Sequence, residues 1–220
     1  MIYKASIYGN PFIGLFIKSN EKICLVGPST SEKIIKIIEN FAIPIKISIA
    51  ESDLIGLFCS MNSHCIILDR LTKDEELNDI KNKIKEIGID MNVYRMKTNF
   101  SPGNNICIND FGGMVNYKMD KREIKEIEEN SNVEIFPRRI NGFSTIGSTI
   151  FTTNKFFIAH PKITTEEFND VKKILKVNGY AGTLNSGFPF PSAAIAGNTK
   201  GCIVGNLTTG FEIYRLNEFW

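Results

Sequence analysis

The tetrapeptide Ile-Gly-Leu-Phe occurs twice in this chain, at residues 13–16 and 55–58, and it marks the start of a repeating unit. Pro102-Gly103 and Ile146-Gly147 continue the series, and spacing places a fifth anchor at Ser192 in Pro191-Ser192-Ala193. Successive anchors, counted from Gly14, Gly56, Gly103, Gly147 and Ser192, stand 42, 47, 44 and 45 residues apart. Such a period signals one supersecondary unit used several times, because a unit of this size cannot bury its apolar face alone.

Fixed positions after each anchor share a chemical character. Three residues on stand Ile17, Cys59, Ile106, Ile150 and Ile195; eleven on, Leu25, Ile67, Met114, Ile158 and Ile203. Twelve on stand Val26, Leu68, Val115, Ala159 and Val204; twenty-one on, Ile35, Leu77, Ile124, Phe168 and Ile213; twenty-four on, Ile38, Ile80, Ile127, Val171 and Leu216. Five wholly apolar columns do not arise by accident in a chain with 43% hydrophobic residues. The columns spell out the unit. A short strand follows the anchor. A turn comes at Asn20, Asn62, Asn109, Thr153 or Asn198, where asparagine tolerates left-handed backbone. A second apolar strand follows, then a helix with apolar residues three apart, then a returning extended segment such as Ile43 to Ala50 or Met91 to Lys97. Thr72-x-x-Glu75, Asp120-x-x-Glu123, Thr164-x-x-Glu167 and Thr209-x-x-Glu212 read as capping boxes at the helix starts.

The fifth copy runs to Trp220 on its helix and lacks a returning strand, while the chain begins with a spare one from Ile2 to Tyr8. The N-terminal strand is therefore expected to complete the last unit and close a ring, which removes exposed sheet edges. The repeats fall at about 9–50, 51–97, 98–140, 141–184, and 185–220 together with 1–8, in one domain spanning 1–220. A linear solenoid is the alternative, but neither end carries a polar capping repeat.

Composition narrows the function. Net charge is only +2, less basic than expected of a protein that holds nucleic acid mainly by neutralising phosphates. Lys81, Lys83 and Lys85, or Arg138 and Arg139, read as solvated faces. The five cysteines form no CxxC pair, and Cys24, Cys65, Cys107 and Cys202 lie in apolar stretches, so neither a disulfide framework nor a zinc site is expected. No apolar run approaches membrane-spanning length, and the N-terminus alternates rather than forming a signal peptide; a soluble, cytoplasmic protein is expected.

The segments GNPFIGLF, the second IGLF, Ser101-Pro102-Gly103-Asn104-Asn105-Ile106, Ile146 to Pro161, Asn198-Thr199-Lys200-Gly201 and Gly205 to Glu212 together resemble the translation initiation factor 6 family. The resemblance covers essentially the whole chain. It departs at Ser192, where the family tends to have glycine, and at Phe211, where proline is common. The chain length looks like that of the archaeal branch. The resemblance implies an α/β fold, the five-bladed propeller or pentein, with pseudo-fivefold symmetry. It also implies a monomer without substrate or cofactor that occupies the joining face of the large ribosomal subunit, near the sarcin–ricin loop and neighbouring ribosomal proteins. There it would block small-subunit association, assist subunit maturation, and be released by a GTPase.

If the anchor turns share one rim, glycines permit close backbone approach and asparagines offer donors and acceptors. The residues expected to touch the ribosome are Gly14, Leu57, Asn62, Gly103, Asn104, Asn109, Ser148 and Thr149. Turn-forming alone accounts equally well for Asn62 and Asn109. Asn104 is more distinctive, because the other copies place Leu15, Leu57, Ser148 and Ala193 there. The same fold hosts enzymes that modify guanidino groups with a cysteine and a histidine, so Cys202 with His64 or His160 is the competing reading. Cys202 shares its column with Cys24, Ile66 and Phe157, which marks it as a core residue, and neither histidine has an acid spaced to orient it.

Overall fold

The computed structural model describes residues 1–220. Each anchor is one turn of helix: α1 (Ile13–Phe16), α3 (Ile55–Phe58), α5 (Pro102–Asn105), α7 (Ile146–Thr149) and α9 (Pro191–Ala194). Each leads straight into a three-residue inner strand, namely β2 (Ile17–Ser19), β5 (Cys59–Met61), β8 (Ile106–Ile108), β11 (Ile150–Thr152) and β14 (Ile195–Gly197). The middle strands are β3 (Ile23–Val26), β6 (Cys65–Leu68), β9 (Gly113–Asn116), β12 (Phe156–Ala159) and β15 (Cys202–Gly205). The peripheral helices α2 (Glu32–Ile38), α4 (Asp74–Glu86), α6 (Lys121–Ser131), α8 (Thr165–Leu175) and α10 (Gly210–Asn217) follow them. The outer strands are β4 (Ile43–Lys46), β7 (Asn92–Arg95), β10 (Ile135–Arg138), β13 (Asn178–Ala181) and β1 (Ile2–Ala5).

Inner and middle strands pair antiparallel, middle and outer strands parallel, giving five three-stranded sheets of identical plan. The fifth sheet has the order β1-β15-β14, with Ile2 opposite Cys202 and Ala5 opposite Gly205. The N-terminal strand thus completes the last blade and closes the ring, as the repeat pattern anticipated. It is shorter than the expected Ile2 to Tyr8, because the chain turns at Tyr8 and Gly9 with Ile7 bridging Asn10.

The apolar interior is divided among five seams between blades. Successive residues of a strand point to opposite faces, so each middle strand serves two seams. In β3, Ile23 and Leu25 pack with Ile55, Cys59 and Ile66 of the second blade, while Cys24 and Val26 pack with Ile203 and Ala196 of the fifth. Every residue of the five middle strands is consequently buried. The column twenty-four after the anchor is buried in all five copies and fixes each helix on its seam.

Around the axis the anchor helices approach backbone to backbone. A Cβ added at Gly56 would lie 1.9 Å from the Gly14 carbonyl oxygen, and one at Gly103 would lie 1.9 Å from that of Gly56. Gly147 faces Gly103 and Gly14 faces Ser192 in the same way, so the contact runs round the hub. Nothing flexible is available to yield there. Gly56→Ala should therefore destabilise the fold by about 3 kcal/mol or more. Gly142→Ala, in open space with φ of +79°, should cost only roughly 1 kcal/mol. Urea unfolding of the two variants checks the contrast.

Candidate partner-binding face

Middle and outer strands run towards the same end of the ring as the anchor helices, so that end collects three sets of connections. The anchor helices surround the axis, the turns before them lie outside, and the loops opening the peripheral helices lie further out. At the centre, the residue after each anchor is half-buried: Leu15, Leu57, Asn104, Ser148 and Ala193. The Ser148 hydroxyl donates to the Thr145 carbonyl oxygen 2.8 Å away. Leu57, Asn104 and Ser148 are thus placed where a partner can reach them.

The other expected contact residues are not. Gly14, Gly103 and Thr149 are buried in the helix-to-helix packing, and Thr149 donates its hydroxyl to the Ile146 carbonyl. Asn62 and Asn109 lie beyond the inner strand, at the opposite end of the ring from the anchors, and both are buried. The expectation of one shared rim is corrected by the strand that separates the two positions. In Asn62, Oδ1 accepts from the His64 and Cys65 amides while Nδ2 donates to the Asn109 and Ser131 carbonyls. The pattern recurs round the ring. Asn198 donates to Asn20 O at 2.9 Å, Asn20 to Asn62 O at 2.8 Å, Asn62 to Asn109 O at 3.3 Å, and Asn109 to Thr153 O at 3.2 Å. Thr153 caps its own turn but has no amide to pass on, so the belt is open between the fourth and fifth blades. Asn62→Ala should remove about 2–4 kcal/mol of stability by stranding buried donors and acceptors, measurable as a fall in the denaturation midpoint.

A second polar column, three of whose glutamates were expected only as helix caps, also bonds the turns before the anchors. Glu76, Glu123, Glu167 and Glu212 each stand twenty residues after an anchor and bond the turn before that anchor. Glu76 accepts from the Ala50 and Glu51 amides, Glu123 from Lys97 and Thr98, Glu167 from Asn141, and Glu212 from Ser186 and Gly187. Three of these turns, those of Glu76, Glu167 and Glu212, contain residues in the left-handed region, among them Ala50, Glu51, Asn141 and Ser186, which the carboxylates hold in place. In the second blade the capping partner is Glu76 with the Lys73 amide rather than the expected Thr72–Glu75 pair, because Thr72 donates to Asp69 O. Blade one has Ile34 in this column.

Burial alone pushes the carboxyls of Glu76 and Glu212 upward, but hydrogen bonds outweigh it and hold both below the ordinary range. A carboxylate depressed in the native state stabilises above its unfolded value and loses that contribution as pH falls. Native stability should therefore decline below about pH 5. Glu212→Gln should lower stability by about 1 kcal/mol at neutral pH and flatten the acid limb, as followed by thermal melts across pH.

Large apolar side chains are exposed at the anchor end: Tyr8, Leu71, Tyr117, Phe143, Leu207 and, at 73% exposure, Phe211. An aromatic chain runs among them. Phe12 and Phe188 have ring centroids 4.6 Å apart, Phe188 and Phe190 5.8 Å, and Phe190 and Phe143 5.2 Å. These residues sit in turns outside the periodic columns, which is why the column search missed them; their only signal was the Gly187-Phe188-Pro189-Phe190-Pro191 run. Arg70, Lys118, Arg139 and Lys162 follow middle or outer strands at the same end and join no ion pair. The neighbouring acids are largely engaged: Asp53 with Tyr8, Glu51 with Lys73, Asp74 with Arg95, and Asp120 with the start of α6. Arg138 and Lys83, by contrast, pair with Asp170 and Asp79.

Cys202 is fully buried in β15, and burial pushes its thiol far up, away from the thiolate a nucleophile needs. His160 lies at the anchor end between the Phe143 and Phe190 rings, with Nδ1 accepting from the Lys162 amide; burial, then the Lys162 charge, holds it below its usual value. Cys202 begins its strand at the other end. His64 is exposed in a turn. All five cysteines are buried and free. No helix is long and apolar enough to cross a membrane.

Five α/β blades around one axis define the class: this is a pentein. A solved dimethylarginine dimethylaminohydrolase adduct shares the fold, with a TM-score of 0.50 over 94% of this chain and 72% of that one, at 10% sequence identity. Sequence identifies the family within that class. The eIF-6 family model matches residues 2–219, and the chain belongs to the eIF-6 family. It is 33% identical over 220 residues to translation initiation factor 6 of Pyrococcus horikoshii, covering 99% of this chain and 97% of that protein. Translation initiation factor 6 of Staphylothermus marinus is 35% identical, with 99% and 96% covered, and that of Methanocaldococcus jannaschii is 32% identical, with 99% and 97% covered.

Proposed function

We propose that this protein is a translation initiation factor that binds the joining face of the large ribosomal subunit through its anchor end and sterically prevents association with the small subunit. The observation that carries the reading is the full-length match to proteins named translation initiation factor 6. The chemistry of the anchor end supports it. Exposed aromatic and aliphatic groups suit a protein surface, and unpaired Arg70, Lys118, Arg139 and Lys162 suit the phosphates of adjoining RNA such as the sarcin–ricin loop. In this reading the chain is a single cytoplasmic domain, 1–220, working as a monomer that makes no bond and breaks none. A role in subunit maturation and release by a GTPase belong to the same proposal.

The test is sedimentation with purified large, small and joined ribosomal particles. The protein should travel with large subunits, not with small ones, and should reduce joining in proportion to occupancy; failure to travel with large subunits rejects the proposal. Asn104, whose side chain makes no bond within the protein, refines it. Asn104→Asp should weaken binding about tenfold, equivalent to roughly 1.4 kcal/mol, with an unchanged melting temperature. Undiminished co-sedimentation of that variant removes Asn104 from the contact surface.

A further inference from the structure

The fourth blade carries an open groove at the asparagine end of the ring, away from the anchors. The second half of α8, the start of β13, the turn before β12 and the Phe111 turn of the third blade form it. Asn169, Lys172, Lys173 and Lys176 follow one another at steps of three and four residues. They make one stripe on the exposed side of α8 and its end, with Val171, Ile174 and Leu175 buried on the other side. Lys155 joins the stripe from the turn, and Phe111 brings an exposed ring to the same groove. No carboxylate lines it.

These cations are uncommitted. The ammonium groups of Lys172, Lys173 and Lys176 join no ion pair and no hydrogen bond, while Lys155 donates one bond to the Trp220 main-chain oxygen, 2.7 Å away. Two of the neighbouring carboxylates are engaged elsewhere: Asp110 accepts from the Ser63 amide and Asn154 Nδ2, and Asp170 pairs with Arg138. Glu134, in the adjoining hollow that Lys173 and Lys176 also line, makes no ion pair. A single uncommitted carboxylate thus stands against four ammonium groups. The side-chain amides of Asn169 and Asn178, both exposed in the groove, bond nothing within the protein.

Lysines near a helix C-terminus favour the helix dipole, but the dipole does not account for this cluster. At the places of Lys172 and Lys173 the third blade has Glu128 and Glu129, and the fifth has Asn217 and Glu218. Lys176 takes left-handed backbone with φ of 54°, where the third blade uses Asn132 at 57°. Asparagine or glycine adopts that conformation at less cost, so a lysine there points to a use for its charge. Protein interfaces are depleted of lysine, and the groove holds no arginine fork to grip a carboxylate. Ammonium groups beside an exposed aromatic ring and free amides suit phosphates and bases instead. We propose that this groove binds a short segment of single-stranded RNA, its phosphates on the lysine stripe and a base against the Phe111 ring. The Asn169 and Asn178 amides are free to meet base edges. The site lies at the opposite end from the anchors and is independent of the ribosomal reading.

Fluorescence anisotropy of the full chain with a labelled oligouridylate tests the proposal. A dissociation constant on the order of 10 μM is expected at low salt. The logarithm of affinity should fall against that of salt with a slope of about −2 to −3, as three or four phosphates are neutralised. The double variant K172A/K173A and the single variant F111A should each weaken binding about tenfold, while K172R/K173R retains it. These side chains are exposed, so melting temperatures should hold. Co-sedimentation with large subunits, which the anchor end governs, should be the same for every variant. Absence of binding overturns the proposal, and so does binding that either the lysine or the phenylalanine substitution leaves unchanged. A polyglutamate of equal length bound as tightly as the oligonucleotide also overturns it, in favour of an acidic protein segment.

Discussion

Five blades can meet on one axis only if their backbones come closer than side chains allow. The Gly56 Cα against the Gly14 carbonyl, and the same contact at Gly103 and Gly147, make that approach possible. With Ala at such a place the added Cβ meets an oxygen belonging to the neighbouring blade, and neither partner can turn aside. The rest of the architecture depends on this hub. Once the anchor helices are seated, each inner strand starts at a set position, its middle strand pairs against it, and the two faces of that middle strand fall into adjacent seams. Ser192, the one anchor with a side chain, is half-buried at the edge of this packing.

Close packing on the axis leaves many backbone groups without bulk water, and two side-chain systems satisfy them at opposite ends. At one end the asparagine amides pass from blade to blade and bind both the turn carbonyl and, in three of the four cases, a carbonyl at or beyond the end of the neighbour's helix: Ser131, Leu175 or Phe41. At the anchor end four glutamates of the peripheral helices reach back to the turns before the anchors. Glu76, Glu167 and Glu212 each serve a helix terminus and a turn with left-handed residues through one carboxylate. Glu123 bonds only the Lys97–Thr98 turn and Tyr94, Asp120 alone capping its helix. A ring braced at both ends presents its anchor face as a fixed shape, and a fixed shape binds without the entropic loss of ordering loops.

The apolar architecture was readable in the sequence because burial is periodic. A middle strand buried on both faces appears as an unbroken run such as Cys65 to Leu68, and the helix stripe recurs at the same distance in every copy. The polar architecture was only half readable. An asparagine after a strand signals a turn whether or not its amide crosses to the next blade, so the position of Asn62 and Asn109 invited a surface reading; the three-residue strand that carries them away from the anchors has no signature of direction. Leu57, Asn104 and Ser148 stand one residue from buried glycines, and a single step along a helical turn decides whether a side chain faces the neighbour or the mouth of the ring. The aromatic chain from Phe12 to Phe143 obeys no period at all. Its members come from three different turns, and closure of the ring brings them together.

Net charge gives a poor account of a protein built in this way. The sum of +2 is small because 26 basic residues stand against 24 acidic ones, and it does not tell which charges are paired, as Arg95–Asp74 and Arg138–Asp170 are. Cations at the anchor end are left over, among them Arg70, Lys118, Arg139 and Lys162, beside apolar side chains that the repeat does not need for its core. Unpaired charge and unneeded apolar surface are both costly to keep unless something meets them. Their coincidence on one end, and not their total, is what distinguishes a face made for contact from a solvated surface.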